Sequence, residues 1–374
     1  MNLSKSVDFL LEEAGPVIQY RLRKEILHTL SVDEEEKLLE QIFRTPHMML
    51  LQGYRKPNGY IGRGMHSWDN WGGTRLHETP LQDGETAARL LSYYAIPKTH
   101  PMVREYVSAM RAEDILREEF SYIPPEMARY ETRFKGMNSG YGLMLLIYAM
   151  QAMLGCGDEA HVKHFQDTAI ESLRSLLALS SISDIAKTRQ GKTKYGDPYL
   201  EESTYFPCQY HLEALAYTHC WRTAENVDLM ADALNHYSAI IGKEKPHYIK
   251  IGDRFYVPFP LNMRNVPIRS FRTDRIDSIT YRRLLTEIAM LGVGDQVAVL
   301  RETLENIKEA MVNDGILRMD FGVPHNKRYS PLNIEYPTAY IDVRLEHDYQ
   351  QRNALLCDLT FWAVQILHLC GEDT

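Results

Sequence analysis

The chain has 374 residues, with 42 Lys and Arg against 50 Asp and Glu and a formal net charge of −8. That acidic balance argues against a nucleic-acid partner, whose phosphates favour a basic surface. No apolar run approaches the roughly 20 residues that cross a bilayer. The opening Met1-Asn2-Leu3-Ser4-Lys5 leads into an acidic amphipathic stretch without a signal-peptide core, so a cytoplasmic location is expected.

Apolar residues recur at three- and four-residue spacing through most of the chain, the pattern of amphipathic helices. Five segments are apolar nearly all round and are predicted as buried helices: 83–96, 139–154, 208–221, 279–292 and 353–370. More polar helices are expected between them, at 101–119, 158–180, 224–241 and 295–312, where charges such as Arg104, Glu105 and Arg111 mark a solvated face. This alternation implies an inner and an outer ring of helices, an all-α α/α toroid that forms one domain over residues 1–374. A ring grows by adding helix pairs, so it escapes the limit of about 250–300 residues on a single spherical core. The stretches 53–82, 120–138, 182–207, 243–278 and 313–350 are expected to be long loops over one mouth of the ring. Within them, the residues around Gly252-Asp253 read as a small β-hairpin near 247–257. The five cysteines, at 156, 208, 220, 357 and 370, lack CxxC spacing and are expected to be free thiols.

The densest group of chemistry-bearing residues runs from Gly64 to Glu85. There His66 and His77 are candidate proton-transfer groups, Asp69 orients or charges them, and Trp68 and Trp71 are placed to stack on a ring or shield a cation. Asp83 and Glu85 stand where a buried helix begins; they are candidate acids there, although a capping role lowers a carboxyl pKa and makes a poor proton donor. Arg269 and Arg272, in a basic run before the helix near 279, suit a carboxylate or phosphate. Tyr130, Arg133, Asn138, Tyr340 and His347 are further candidate ligand-binding residues. Cys208 and His211, three apart on one helix, make a candidate zinc pair; zinc and magnesium are the cofactors considered.

The segment Pro16-Val17-Ile18-Gln19-Tyr20-Arg21-Leu22-Arg23 resembles the opening helix of bacterial proteins with prenyltransferase and squalene-cyclase-like repeats. Met49-Leu50-Leu51-Gln52, Lys56-Pro57-Asn58-Gly59-Tyr60 and Asn313-Asp314-Gly315-Ile316 are similar to the repeat ends of that family. The resemblance implies an α/α toroid acting on a prenyl-type small-molecule substrate in a central cavity. The Asp-x-Asp-Asp motif of squalene-type cyclases and the Asp-Asp-x-x-Asp motif of other terpene enzymes do not occur, and Asp33-Glu34-Glu35-Glu36 reads as a charge run on a helix start. Two other readings therefore stand beside it. One is a carbohydrate-active toroid, a lyase or hydrolase acting on an acidic sugar; the other is a non-catalytic helical binding scaffold.

Overall fold

The computed structural model describes residues 3–64, 83–119, 143–189, 198–201, 204, 206–241, 248–251, 254–256, 261, 278–318, 345–346 and 351–372. The described chain is mostly helical. It starts with α1 (Ser4–Glu13), α2 (Pro16–Arg21, continued by a π-helical turn over Leu22–Ile26), α3 (Val32–Phe43) and α4 (Pro46–Gly53). Next come α5 (Gly84–Tyr93), α6 (Pro101–Ala109), α7 (Glu113–Glu119), α8 (Leu143–Gln151, continued by a π-turn over Ala152–Cys156) and α9 (Ala160–Arg174). The remaining helices are α10 (Gln209–Ala216), α11 (Ala224–Ile241), α12 (Ser278–Met290), α13 (Ala298–Ala310) and α14 (Ala354–Leu369). Among the described residues no helix is long and apolar enough to cross a membrane.

Local signals account for several helix starts. Pro16 and Pro101 occupy first-turn positions, where the missing N–H costs nothing. Ser31 opens α3 with its N–H donated to Glu34 Oε2 at 3.1 Å, so the Asp33–Glu36 run is a solvated first turn. At α5 the Asp83 carboxylate accepts the Thr86 N–H at 2.8 Å. Gly84 follows because a Cβ there would lie 2.6 Å from the Tyr60 hydroxyl oxygen, while Tyr106 Oη donates to the Gly84 carbonyl at 2.7 Å.

The five helices expected to be buried are α5, α8, α10, α12 and α14; four lie within the predicted span, and α12 starts one residue before its own, at Ser278. They touch in chain order: α5 meets α8, α8 meets α10, α10 meets α12, α12 meets α14, and α14 meets α2. Amphipathic helices flank this succession, with α1 on α14, α3 on α2, α9 on α10 and α11, and α13 on α12 and α14. Two apolar cores result, and α8 serves both. Leu145, Tyr148 and Ala152 enter the larger one, whereas Leu146, Ile147, Ala149 and Met150 enter the smaller. A helix used on all sides has no room for charge, which explains the unbroken Leu-Met-Leu-Leu-Ile run.

Two expectations need correction. The segment 101–119 is two helices, because the chain turns at Met110 and Arg111 before α7 begins. The stretch 182–207, expected as loop, contributes two strands. They are β1 (Lys187–Thr188) and β2 (Pro198–Glu201), which join the hairpin strands β3 (Tyr248–Ile251) and β4 (Arg254–Tyr256) in one sheet of order β1-β2-β3-β4. β3 and β4 are antiparallel, as a hairpin requires, but β2 and β3 are parallel with Tyr199 opposite Tyr248. Pairing between strands so far apart in the chain leaves no local trace in a four-residue segment. All five cysteines are free.

Candidate functional site

Charged residues are rare inside the buried helices, and those present meet one another. On α5, Arg89 is 1% exposed, one turn after Glu85. Its Nε and Nη2 donate to Glu85 Oε1 at 3.0 and 2.8 Å, while Nη1 and Nη2 donate to the two carboxylate oxygens of Glu213 on α10 at 2.8 and 2.9 Å. Burial alone would lower the Arg89 pKa, but the Glu213 and Glu85 carboxylates beside it hold the guanidinium well above its ordinary value. The chain of contacts continues through α10. Gln209 Nε2 donates to Glu287 Oε2 on α12 and lies 3.5 Å from Glu213 Oε1. Tyr210 Oη stands 3.4 Å from both oxygens of Glu85.

This network adjoins an open cavity of about 820 Å3 to which all six succeeding helices, or the residues just after them, contribute. The contributions are Arg21 and Glu25 from α2 and its π-turn, Tyr93 from the end of α5, Met153 from the end of α8, Tyr217 just after α10, Arg282, Arg283 and Glu287 from along α12, and Asp358, Phe361 and Trp362 from along α14. Arg21 is held by Glu25 through bonds of 2.9 to 3.2 Å, and its Cζ lies 5.1 Å from the centre of the Phe361 ring. Near Asp358, Glu346 is buried and accepts the Gly15 N–H at 2.6 Å. Burial, with a smaller push from Asp358, raises the Glu346 carboxyl to about 7.

Of the residues singled out from the sequence, Asp83 caps α5 and Glu85 pairs with Arg89, so both carboxylates hold structure at the leading end of that helix. Cys208 and His211 do sit together, in a cap. The Cys208 N–H donates to His211 Nδ1 at 2.9 Å, and both side chains are buried. Burial pushes the Cys208 thiol up to about 12 and the His211 imidazole down to about 3, and no third metal-binding side chain joins them among the described residues. The pair thus fits a helix start better than zinc, and no set of donors for magnesium occurs among those residues either. The remaining candidates, His66, Trp68, Asp69, Trp71, His77, Tyr130, Arg133, Asn138, Arg269, Arg272, Tyr340 and His347, lie outside the described residues.

Neutral His211 has a measurable consequence. Its folded value, about 3, lies below the unfolded value of 6.5, so the stability it allows is complete above 6.5 and is lost as pH falls toward 3. Wild-type protein is expected to lose about 1–2 kcal/mol per pH unit in that window from this group alone. Urea midpoints measured at pH 7 and pH 5 check this, with His211→Gln expected to show a flatter dependence.

The residues missed from sequence are Arg21, Glu25, Arg89, Glu213, Arg282, Arg283, Glu287 and Asp358. The available signal was the presence of one to three charges inside helices that are otherwise apolar, since buried charge persists only where it is paired or used. Comparisons of the chain with protein-family models, with curated proteins and with solved structures return no match.

Proposed function

We propose that the chain is an α/α toroid of the carbohydrate-active kind, a hydrolase whose central cavity takes a glycoside of an acidic sugar. The toroid reading is supported by buried helices that touch in chain order and all line one hollow. The choice of ligand rests on one observation, the mixed lining of that hollow. Four cations (Arg21, Lys98, Arg282, Arg283) meet three carboxylates (Glu25, Glu287, Asp358) among the described lining residues, beside the rings of Tyr93, Tyr217 and Trp362. A glycosidase needs two carboxylates beside the scissile bond, which Glu287 and Asp358 supply in this reading. Aromatic walls suit sugar faces, and the adjacent arginines of α12 suit a single carboxylate. A diphosphate would bring several negative charges against three resident acids, which disfavours the prenyl reading.

Thermal shift with uronic oligosaccharides, neutral oligosaccharides and prenyl diphosphates, followed by a product assay, tests this. Ligand at about 100 times Kd stabilises by about 3 kcal/mol, so the melting temperature is expected to rise with uronic oligosaccharides and much less with the other two. Stabilisation by prenyl diphosphates alone would return the protein to the class its N-terminal segment resembles.

A further inference from the structure

We infer that Gln209 is a positioning residue which makes Glu287 the proton acceptor of the cavity. The inference rests on the hydrolase reading for the substrate, and on the network geometry for the pairing itself.

Glu287 is 1% exposed and Gln209 4%, yet Glu287 belongs to the cavity lining. A carboxylate in that position is useful only if its orientation is fixed. Gln209, on the neighbouring helix α10, does this by donating from Nε2 to Glu287 Oε2. The amide cannot turn over without cost. Its nitrogen lies between Glu287 and Glu213, and a flipped amide would point its oxygen at two carboxylates. Nor is Glu213 at liberty to swing away, because both its oxygens are held by Arg89, which Glu85 holds in turn. The Glu85–Arg89–Glu213 triad is therefore the rigid base against which Gln209 is set. A hydrogen bond donated to a carboxylate favours its ionised form, and an ionised carboxylate accepts protons. In the hydrolysis, Glu287 takes a proton from water as the water oxygen bonds to the anomeric carbon. The glycosidic C–O bond breaks with its electron pair going to the leaving oxygen, and that oxygen receives a proton from Asp358.

The test uses full-length Gln209→Met and Gln209→Glu proteins, checked for folding by circular dichroism, with kcat and KM for a uronic oligosaccharide followed against pH. Gln209→Met is expected to lower kcat about 10–100-fold with KM changed less than about threefold, and to move the acidic limb of the kcat profile upward by about one pH unit. Gln209→Glu is expected to recover activity as pH falls, because a protonated Glu at 209 can again donate to Glu287. An unmoved acidic limb, or equal losses at every pH, would overturn the assignment. Selective carboxyl-13C labelling of glutamate reads the same contact without a substrate, the Glu287 signal being the one absent from Glu287→Gln. A titration midpoint that rises in Gln209→Met supports the positioning role, and an unmoved one defeats it. If no uronic oligosaccharide is turned over while the midpoint does rise, the hydrolase reading fails and the positioning stands.

Discussion

Replacing Arg89 by methionine is expected to cost about 3–5 kcal/mol of folding stability, the penalty for breaking a buried ion pair while keeping its other members. Glu85 and Glu213 are each 0% exposed at the side chain, and in the variant they would face each other with no cation between them. Methionine fills a similar volume, so the loss is electrostatic and not a packing void. Two carboxylates without their guanidinium are harder to ionise in the fold than in the unfolded chain. The deficit should therefore be largest near neutral pH and shrink as pH falls and the carboxylates take up protons. Urea unfolding at pH 7 and pH 5 measures both the loss and its recovery. The triple variant Glu85→Gln, Arg89→Met, Glu213→Gln should regain most of the stability, because removing the whole charged set is often neutral or better. A single variant as stable as wild type at pH 7 would mean that the triad carries little of the fold.

The second large effect is expected at Phe361, fully buried on α14 with the Arg21 guanidinium over its ring. Phe361→Ala should destabilise by about 3–5 kcal/mol, combining lost transfer energy with a void that helices on several sides cannot all relax to fill. Because Phe361 also lines the cavity, the void should merge with it and ligand affinity should fall as well. Phe361→Leu, which keeps most of the apolar volume, should lose under half as much. Denaturant midpoints on the two variants separate packing from the cation–ring contact, since leucine restores only the first. Near-equal losses would assign the stabilisation to the ring electrostatics.

The helices were legible in the sequence because their signal is local. Segments such as Leu143–Gln151, with no charge on any side, can only be interior, and segments such as Ala298–Ala310, with alternating Glu, Lys and Leu, can only lie at a boundary. The β3–β4 hairpin was legible for the same reason, being one turn with two flanking strands. The parallel pairing of β2 with β3 was not, since its partner lies about fifty residues away and neither strand is long enough to show a pattern. The cavity was hidden in a different way. Compositional density drew attention to Gly64–Glu85 and the other stretches leading into the buried helices, where Trp, His and Gly cluster within a few residues. The cavity lining instead comes from two to five residues of each helix or the turn after it, spread from Arg21 to Leu369. Such a set has no density anywhere in the chain. A better rule for this kind of protein is to count charges that interrupt an apolar helix: Arg89, Glu213, Glu287 and Asp358 each do so, and all four are buried polar groups.

The partnership of α1 with α14 carries a cost during synthesis. Ser6 Oγ donates to the carbonyl of Gly315, 309 residues later, and α1 packs along α14. A ribosome adding about 5–20 residues per second needs some 15–60 s to deliver those later partners once α1 has emerged. For that interval Leu3, Val7 and Leu10 have nothing from the far end of the chain to cover them. From the emergence of α1 to the delivery of Gly315 and α14, the nascent polypeptide therefore carries an apolar helix face that its later partners have yet to cover.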